Sequence, residues 1–155
     1  MPLSLRLNTL LELCRPGLPL WDLCCDHGYL GEAAWHSGRF PEVIFNDAVD
    51  DLLERLKPRL TDPACRIVGG LAEEISEPLR GNIVIAGIGG QKTYRILQTH
   101  AQAGRLHAER LILCPEKDAS WLVQQELTDY QLSTSFAIAH NHGQRWVYQY
   151  DRITR

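Results

Sequence analysis

The stretch Pro19-Leu-Trp-Asp-Leu-Cys-Cys-Asp-His-Gly-Tyr-Leu-Gly31 limits the folds open to this chain more than any other. Leu20, Trp21, Leu23 and Cys24 make an apolar run of the length of a buried strand. Asp26, His27 and Gly28 then turn the chain into a helical segment over residues 29–37. This sequence of elements sets unpaired helical N–H groups beside a strand's carboxyl end. Open α/β sheets bind ligands there, and such a turn can hold a phosphate or the carboxylate of an amino-acid-like ligand.

The rest of the chain repeats the alternation. Leucines at 3, 7, 10, 11 and 13 predict a helix over residues 3–14, stopped by Pro16-Gly17 and packed on the edge of the sheet. Strands are expected at 43–46, 65–69, 82–86 and 110–114. Helices are expected at 49–60, 71–79, 91–103 and 119–128, the last capped by Asp118. Two extended runs, 133–140 and 145–151, flank Asn141-His-Gly-Gln144 and read as a hairpin. Five strands alternating with helices imply a parallel sheet, to which the hairpin adds an antiparallel edge. The expected fold is a single α/β domain over residues 1–155, with seven strands and helices on both faces.

Several function classes drop out. No apolar run approaches the roughly 20 residues of a bilayer span, and the first residues lack a signal-peptide pattern, so a cytoplasmic protein without membrane contact is expected. Cys14, Cys24, Cys25, Cys65 and Cys114 form no C-x-x-C pair, and His140 and His142 sit at a predicted turn, so no metal site is expected. The net charge of −3 leaves any nucleic acid to be gripped by a local basic patch. There is no Walker sequence, and the glycines after the first strand, Gly28 and Gly31, do not make G-x-G-x-x-G.

What is left is a set of strand-end groups. Asp22 and the Asp26-His27 pair belong to the first turn, and Asp47 ends the second strand. An acid at that second position suits a ribose diol, whose hydroxyls can both donate to one carboxylate; it equally suits a cap for the helix beginning near Val49. Ala86-Gly-Ile-Gly-Gly90 lacks side chains over most of its length. It either lets a flat ligand approach the backbone or makes a tight turn with positive φ.

Asp22-Leu-Cys-Cys-Asp-His-Gly-Tyr-Leu30, Asn82-Ile-Val-Ile-Ala-Gly-Ile-Gly-Gly90 and Leu111-Ile-Leu-Cys-Pro115 together resemble the bacterial tRNA adenine-22 N1-methyltransferase family. That family shows D-I-G-S-D-H-A-Y-L, D-x-I-V-I-A-G-M-G-G and L-I-L-Q-P in the same order. The resemblance implies a Rossmann-like, seven-stranded domain using S-adenosyl-L-methionine. By matching position, Asp22, Cys24, Asp26 and Gly28 hold the methionine part of the cofactor and Asp47 the ribose. Gly69, Gly70 and Leu71 border the adenine, while Ala86, Gly87, Ile88, Gly89 and Gly90 line the channel to the target base.

Cys24 stands where the family has a glycine, Gly69 where it often has an acid, Asn82 for an acid and Cys114 for a glutamine. The family's helical C-terminal extension has no counterpart here. The expected activity is methylation of a nucleobase nitrogen in tRNA or other RNA, with no DNA partner. Asp26 is the candidate proton acceptor, with His27 second. Arg6, Lys92, Arg95, Lys117 and Arg145 are candidates for local positive charge. Methylation of a small molecule or protein, and a cofactor-binding module without turnover, are the alternatives.

Overall fold

The computed structural model describes residues 2–154. Five parallel strands alternate with helices, and a C-terminal hairpin completes a seven-stranded sheet. The strands are β1 (Leu20–Leu23), β2 (Val43–Asp47), β3 (Cys65–Gly69), β4 (Leu79–Ala86), β5 (Leu106–Cys114), β6 (Tyr130–His140) and β7 (Gly143–Arg152). The helices are α1 (Leu5–Leu13), α2 (Tyr29–His36), α3 (Asp50–Leu56), α4 (Gly90–Gln102) and α5 (Ala119–Val123). The sheet order is β3-β2-β1-β4-β5-β7-β6, with β7 antiparallel to both neighbours. The parallel core is in register, Leu20 facing both Val43 and Asn82.

Side chains alternate across this sheet, so each buried strand feeds two cores. Leu20, Val43, Phe45, Val84 and Ile112 pack with Leu10 and Leu11 of α1, Leu30 and Ala34 of α2, and Leu53 and Leu56 of α3. Trp21, Leu23, Ile44, Ile83, Ile85 and Leu113 pack with Ile96 and Leu97 of α4 and Leu122 of α5. Strand order reverses between β1 and β4, and a crevice opens there at their carboxyl ends, as in doubly wound sheets generally.

Several expected elements differ. Over residues 71–79 there is only a 3₁₀ turn, Ala72–Glu74, because Pro78 disfavours helical geometry at Glu77 and β4 begins at once. Helix α3 tightens into a 3₁₀ turn at Lys57–Arg59, where Pro58 has no N–H to continue the ladder. Helix α5 ends at Val123, and Gln125 turns its amide back onto the Trp121 carbonyl. Asp118 precedes α5 at φ 60° but makes no side-chain cap bond; its backbone carbonyl accepts from Leu122 instead. Helix α1 is capped by the Ser4 hydroxyl and lies against α2, β5 and β6. Asn82, fully buried, bonds Arg15 and Pro19 and so fastens the loop between α1 and β1 to β4.

Candidate active site

The crevice has a volume of about 410 Å³. Its β1–β2 wall is acidic. Asp22 points from β1 toward α2, where its Oδ2 accepts the Gly31 N–H at 3.0 Å. Burial pushes the Asp22 carboxyl up to about 7, the Gly31 N–H opposing the shift and Asp47 and Asp26 adding to it. Asp47, at the tip of β2, accepts the Asp26 N–H through Oδ2 and the Val49 N–H through Oδ1, both at 2.9 Å. Each oxygen therefore keeps a lone pair for a further donor. Helix α3 takes Val49 as its N-cap, so the Asp47 carboxylate braces the loop before the helix and still faces the crevice.

The first turn is strained and held by its own groups. Cys24 and Asp26 adopt left-handed conformations, φ 54° and 55°, and Gly28 follows at φ 78°. A left-handed residue with a Cβ costs about 1–2 kcal/mol. Cys24 thus has the backbone shape that a glycine would take most easily. Asn46, which sequence reasoning overlooked, pins this shape: its Oδ1 accepts the Cys24 N–H, and its Nδ2 donates to the Val68 and Gly70 carbonyls. It sits wholly buried directly after the apolar run Val43-Ile-Phe45, the one signal that could have marked it.

Because carboxylates and carbonyls occupy the N–H groups of Cys24, Cys25, Asp26 and Gly31, the turn is not the free phosphate nest that the sequence left open. Three neighbouring carboxylates favour a cation or a diol there.

Opposite lies the second turn, with Ala86, Gly87 and Ile88 in the crevice wall. Gly87 has φ 80°, and a Cβ placed on it would meet nothing within 4 Å. Lys92 on α4 and Arg6 on α1 line the same crevice, with Tyr29, Ala48, Val49 and Leu52. Burial raises the Cys24 thiol to about 11, opposed by nearby Lys92.

Asp22, Cys24, Asp26, Asp47, Ala86, Gly87 and Ile88 therefore meet in one crevice. Gly70 stands beside it, its N–H donated to the Asp47 carbonyl. Leu71 exposes its side chain next to Gly70, as does Val49 after β2. Gly28 and Gly89 shape the turns rather than line the space; Gly89 faces Lys117. His27 also lies outside the wall, half-exposed, stacked on Tyr29 at 5.4 Å and 3.7 Å from the Asp26 carboxylate. Its carbonyl accepts from Arg59, which also pairs with Glu32. Among the described residues, no three His, Cys, Asp or Glu gather in a metal-binding group, and no helix is long and apolar enough to cross a membrane.

A seven-stranded doubly wound sheet with its antiparallel strand beside β5, an acid at the tip of β2 and an open glycine at the tip of β4 defines a Rossmann-like, nucleoside-binding class of domain. A methyltransferase domain model matches residues 3–142, and the chain belongs to that family.

Solved structures agree in fold. An uncharacterised protein from Listeria monocytogenes is 20% identical, with a TM-score of 0.84 over 99% of this chain and 70% of its own. The B. subtilis M1A22 tRNA methyltransferase TrmK is 23% identical, TM-score 0.80, over 97% and 67%. M. capricolum TrmK in complex with S-adenosyl-homocysteine is 17% identical, TM-score 0.78, over 97% and 69%. Among curated proteins no sequence match is found.

Proposed function

We propose that this protein transfers a methyl group from S-adenosyl-L-methionine to a nucleobase nitrogen of RNA, of the adenine N1 type in tRNA. The observation that carries the reading is the crevice itself: an Asp47 carboxylate with spare lone pairs faces an unobstructed glycine turn across the β1/β4 switch point. Similarity to the two TrmK structures, one of them with the cofactor product, supports the choice of donor and acceptor.

The residues fit the cofactor. Asp47 accepts the ribose hydroxyls, and the exposed Val49 and Leu71 side chains, on the loops after β2 and β3, offer apolar surface to the adenine. Asp22 faces a positively charged amino-acid part. When bound, S-adenosyl-L-methionine supplies a methyl already made electrophilic by its sulfonium.

The chain's own contribution is alignment, holding the base nitrogen in line over Ala86, Gly87 and Ile88. Asp26, whose side chain is 72% exposed at the mouth, accepts the proton that leaves the exocyclic amine after N1 is alkylated. His27, 3.7 Å away, is placed to pass that proton to solvent. A base paired in a helix has to be flipped out to reach this depth.

The test is incubation with methyl-labelled donor and unmodified tRNA, followed by nucleoside analysis. Label is expected in 1-methyladenosine. Asp26→Asn keeps the backbone N–H that Asp47 needs, so it should cut transfer by about 100-fold or more and leave S-adenosylhomocysteine affinity intact. Loss of both together would move Asp26 from catalysis to binding. Label that never enters RNA would end the RNA assignment.

A further inference from the structure

The wall of the crevice opposite the acids carries a charge that nothing in the fold neutralises. Arg6 reaches into the crevice from the first turn of α1, and its Nε is buried without a hydrogen-bond partner. Burial raises the Cys114 thiol at the tip of β5, and the Arg6 guanidinium and then Arg145 of β7 oppose that shift. Both guanidiniums also help hold the His140 imidazole below its ordinary range, after burial as the first cause. Arg6 and Arg145 therefore make one cationic region, beside a neutral His140 imidazole, where α1 meets the β6–β7 hairpin.

Arg15, Arg39, Arg59, Arg66 and Arg110 are paired with carboxylates; Arg55, Arg80, Arg95 and Arg152 are not, but they are exposed, whereas Arg6 buries its Nε. Among the described residues, neither Arg6 nor Arg145 has a carboxylate within ion-pair distance. A buried guanidinium N–H without an acceptor costs roughly 1–3 kcal/mol, which a bound oxyanion would relieve.

We infer that Arg6, backed by Arg145, is the phosphate-binding element for the RNA acceptor, holding the backbone beside the nucleotide whose base enters over Gly87. This rests on the RNA methyltransferase reading and extends it to a named pair of side chains. Position decides between the two anions within reach. The acids Asp22, Asp26 and Asp47 line the β1–β2 side, which suits the donor; Arg6 enters the same crevice from α1, where that helix meets β5 and β6, and Arg145 stands on the adjoining hairpin outside the crevice lining. A chain of net charge −3 that grips RNA needs its cations gathered at such a place.

The experiment compares wild type, Arg6→Gln and Arg145→Gln, titrating each with S-adenosylhomocysteine and, separately, with unmodified tRNA from low to moderate salt. Glutamine keeps the helix of α1 and the exposed hairpin intact, which circular dichroism checks. Each variant should bind tRNA about tenfold more weakly, and the slope of log K against log salt should flatten by about 0.9 for each phosphate no longer neutralised. Cofactor-product affinity should stay at the wild-type value. Arg6→Gln that loses S-adenosylhomocysteine affinity with tRNA binding unchanged would reassign the guanidinium to the donor's carboxylate and overturn the inference. Unchanged tRNA binding and salt slope in both variants would overturn it as well. Wild type that binds S-adenosylhomocysteine but no tRNA would remove both this inference and the RNA assignment, leaving the donor site standing.

Discussion

The two glycine-bearing turns that face each other across the crevice look alike in sequence and are built for different reasons. In the first, glycine is demanded by packing. A Cβ on Gly31 would lie 2.2 Å from Phe45 Cε2, and one on Gly28 would lie 2.9 Å from Leu56 Cδ1. In the second, Gly90 is packed in the same way, 2.5 Å from the Asp118 carbonyl, yet Gly87 meets nothing within 4 Å. Both turns consume backbone polar groups: in the second, the Gly87 and Gly90 N–H groups donate to the Cys114 and Lys117 carbonyls and the Ile88 carbonyl accepts from Glu116, so the difference lies in the open side-chain position of Gly87. Crowding explains Gly28, Gly31 and Gly90 by the fold; Gly17, Gly38, Gly104 and Gly143 are as open as Gly87, but among the described residues only Gly87 combines open space with a place in the crevice wall.

Charge sharpens this contrast most. The Asp22 carboxyl beneath the first turn sits near 7 when folded, against an ordinary 3.8. The folded state therefore holds its proton more tightly than the unfolded chain. The stability it contributes is fully present below about pH 4 and is lost as pH rises to about 7. A shift of this size corresponds to about 4 kcal/mol. Asp22→Asn retains an acceptor for the Gly31 N–H and should remove that slope, leaving the variant more stable than wild type at pH 8 by up to about 4 kcal/mol. Urea unfolding at pH 4, 6 and 8 measures it; parallel profiles for the two proteins would show that Asp22 is not desolvated.

Packing gives the next largest effect. Gly31→Ala sets a methyl against a fully buried Phe45 ring and should destabilise by about 3 kcal/mol, even though alanine is the better helix former. A loss below about 1 kcal/mol in urea unfolding would mean that α2 lifts freely off β2, and the first turn would then be as open as the second.

How much of this was legible in the sequence follows from what each pattern encodes. The strand–turn–helix at 19–31 and the alternation after it were readable because burial on both faces leaves continuous apolar runs such as Ile83-Val-Ile85 and Leu111-Ile-Leu113. The helix expected at 71–79 was not there: Ala72, Ile75 and Leu79 fill the core from a 3₁₀ turn, the residue after it and the start of β4, while Leu71 stays exposed, which local spacing cannot distinguish. Within the site, the acids at strand ends were placed by topology alone. Asn46 and Arg6 were harder. Asn46 acts by bridging β1 and β3, which are distant in sequence, and the isolation of Arg6 becomes visible only once its neighbours are known to lack carboxylates. His27 ranked behind Asp26 in the sequence, and the turn keeps its ring out of the crevice wall, stacked on Tyr29 with Nε2 3.7 Å from the Asp26 carboxylate.

The smallest change in stability carries the most functional weight. Gly87→Ala places a methyl group in open space, so no clash opposes it, and the only penalty is the left-handed backbone at φ 80°. That should cost about 1 kcal/mol of stability, a third of the effect at Gly31. The same methyl would stand where a target base has to approach the donor, since Gly87 and its neighbours Ala86 and Ile88 form that wall of the crevice. A misplacement of about 1 Å at a reacting centre can reduce rate about 100-fold. Gly87→Ala is therefore expected to retain S-adenosylhomocysteine affinity and a cooperative melt while losing nearly all transfer to tRNA. Gly31→Ala should lose stability and transfer in step, with activity returning as the temperature is lowered. If Gly87→Ala transfers methyl groups at the wild-type rate, the empty space above it is not where acceptor meets donor, and the two turns differ in packing only.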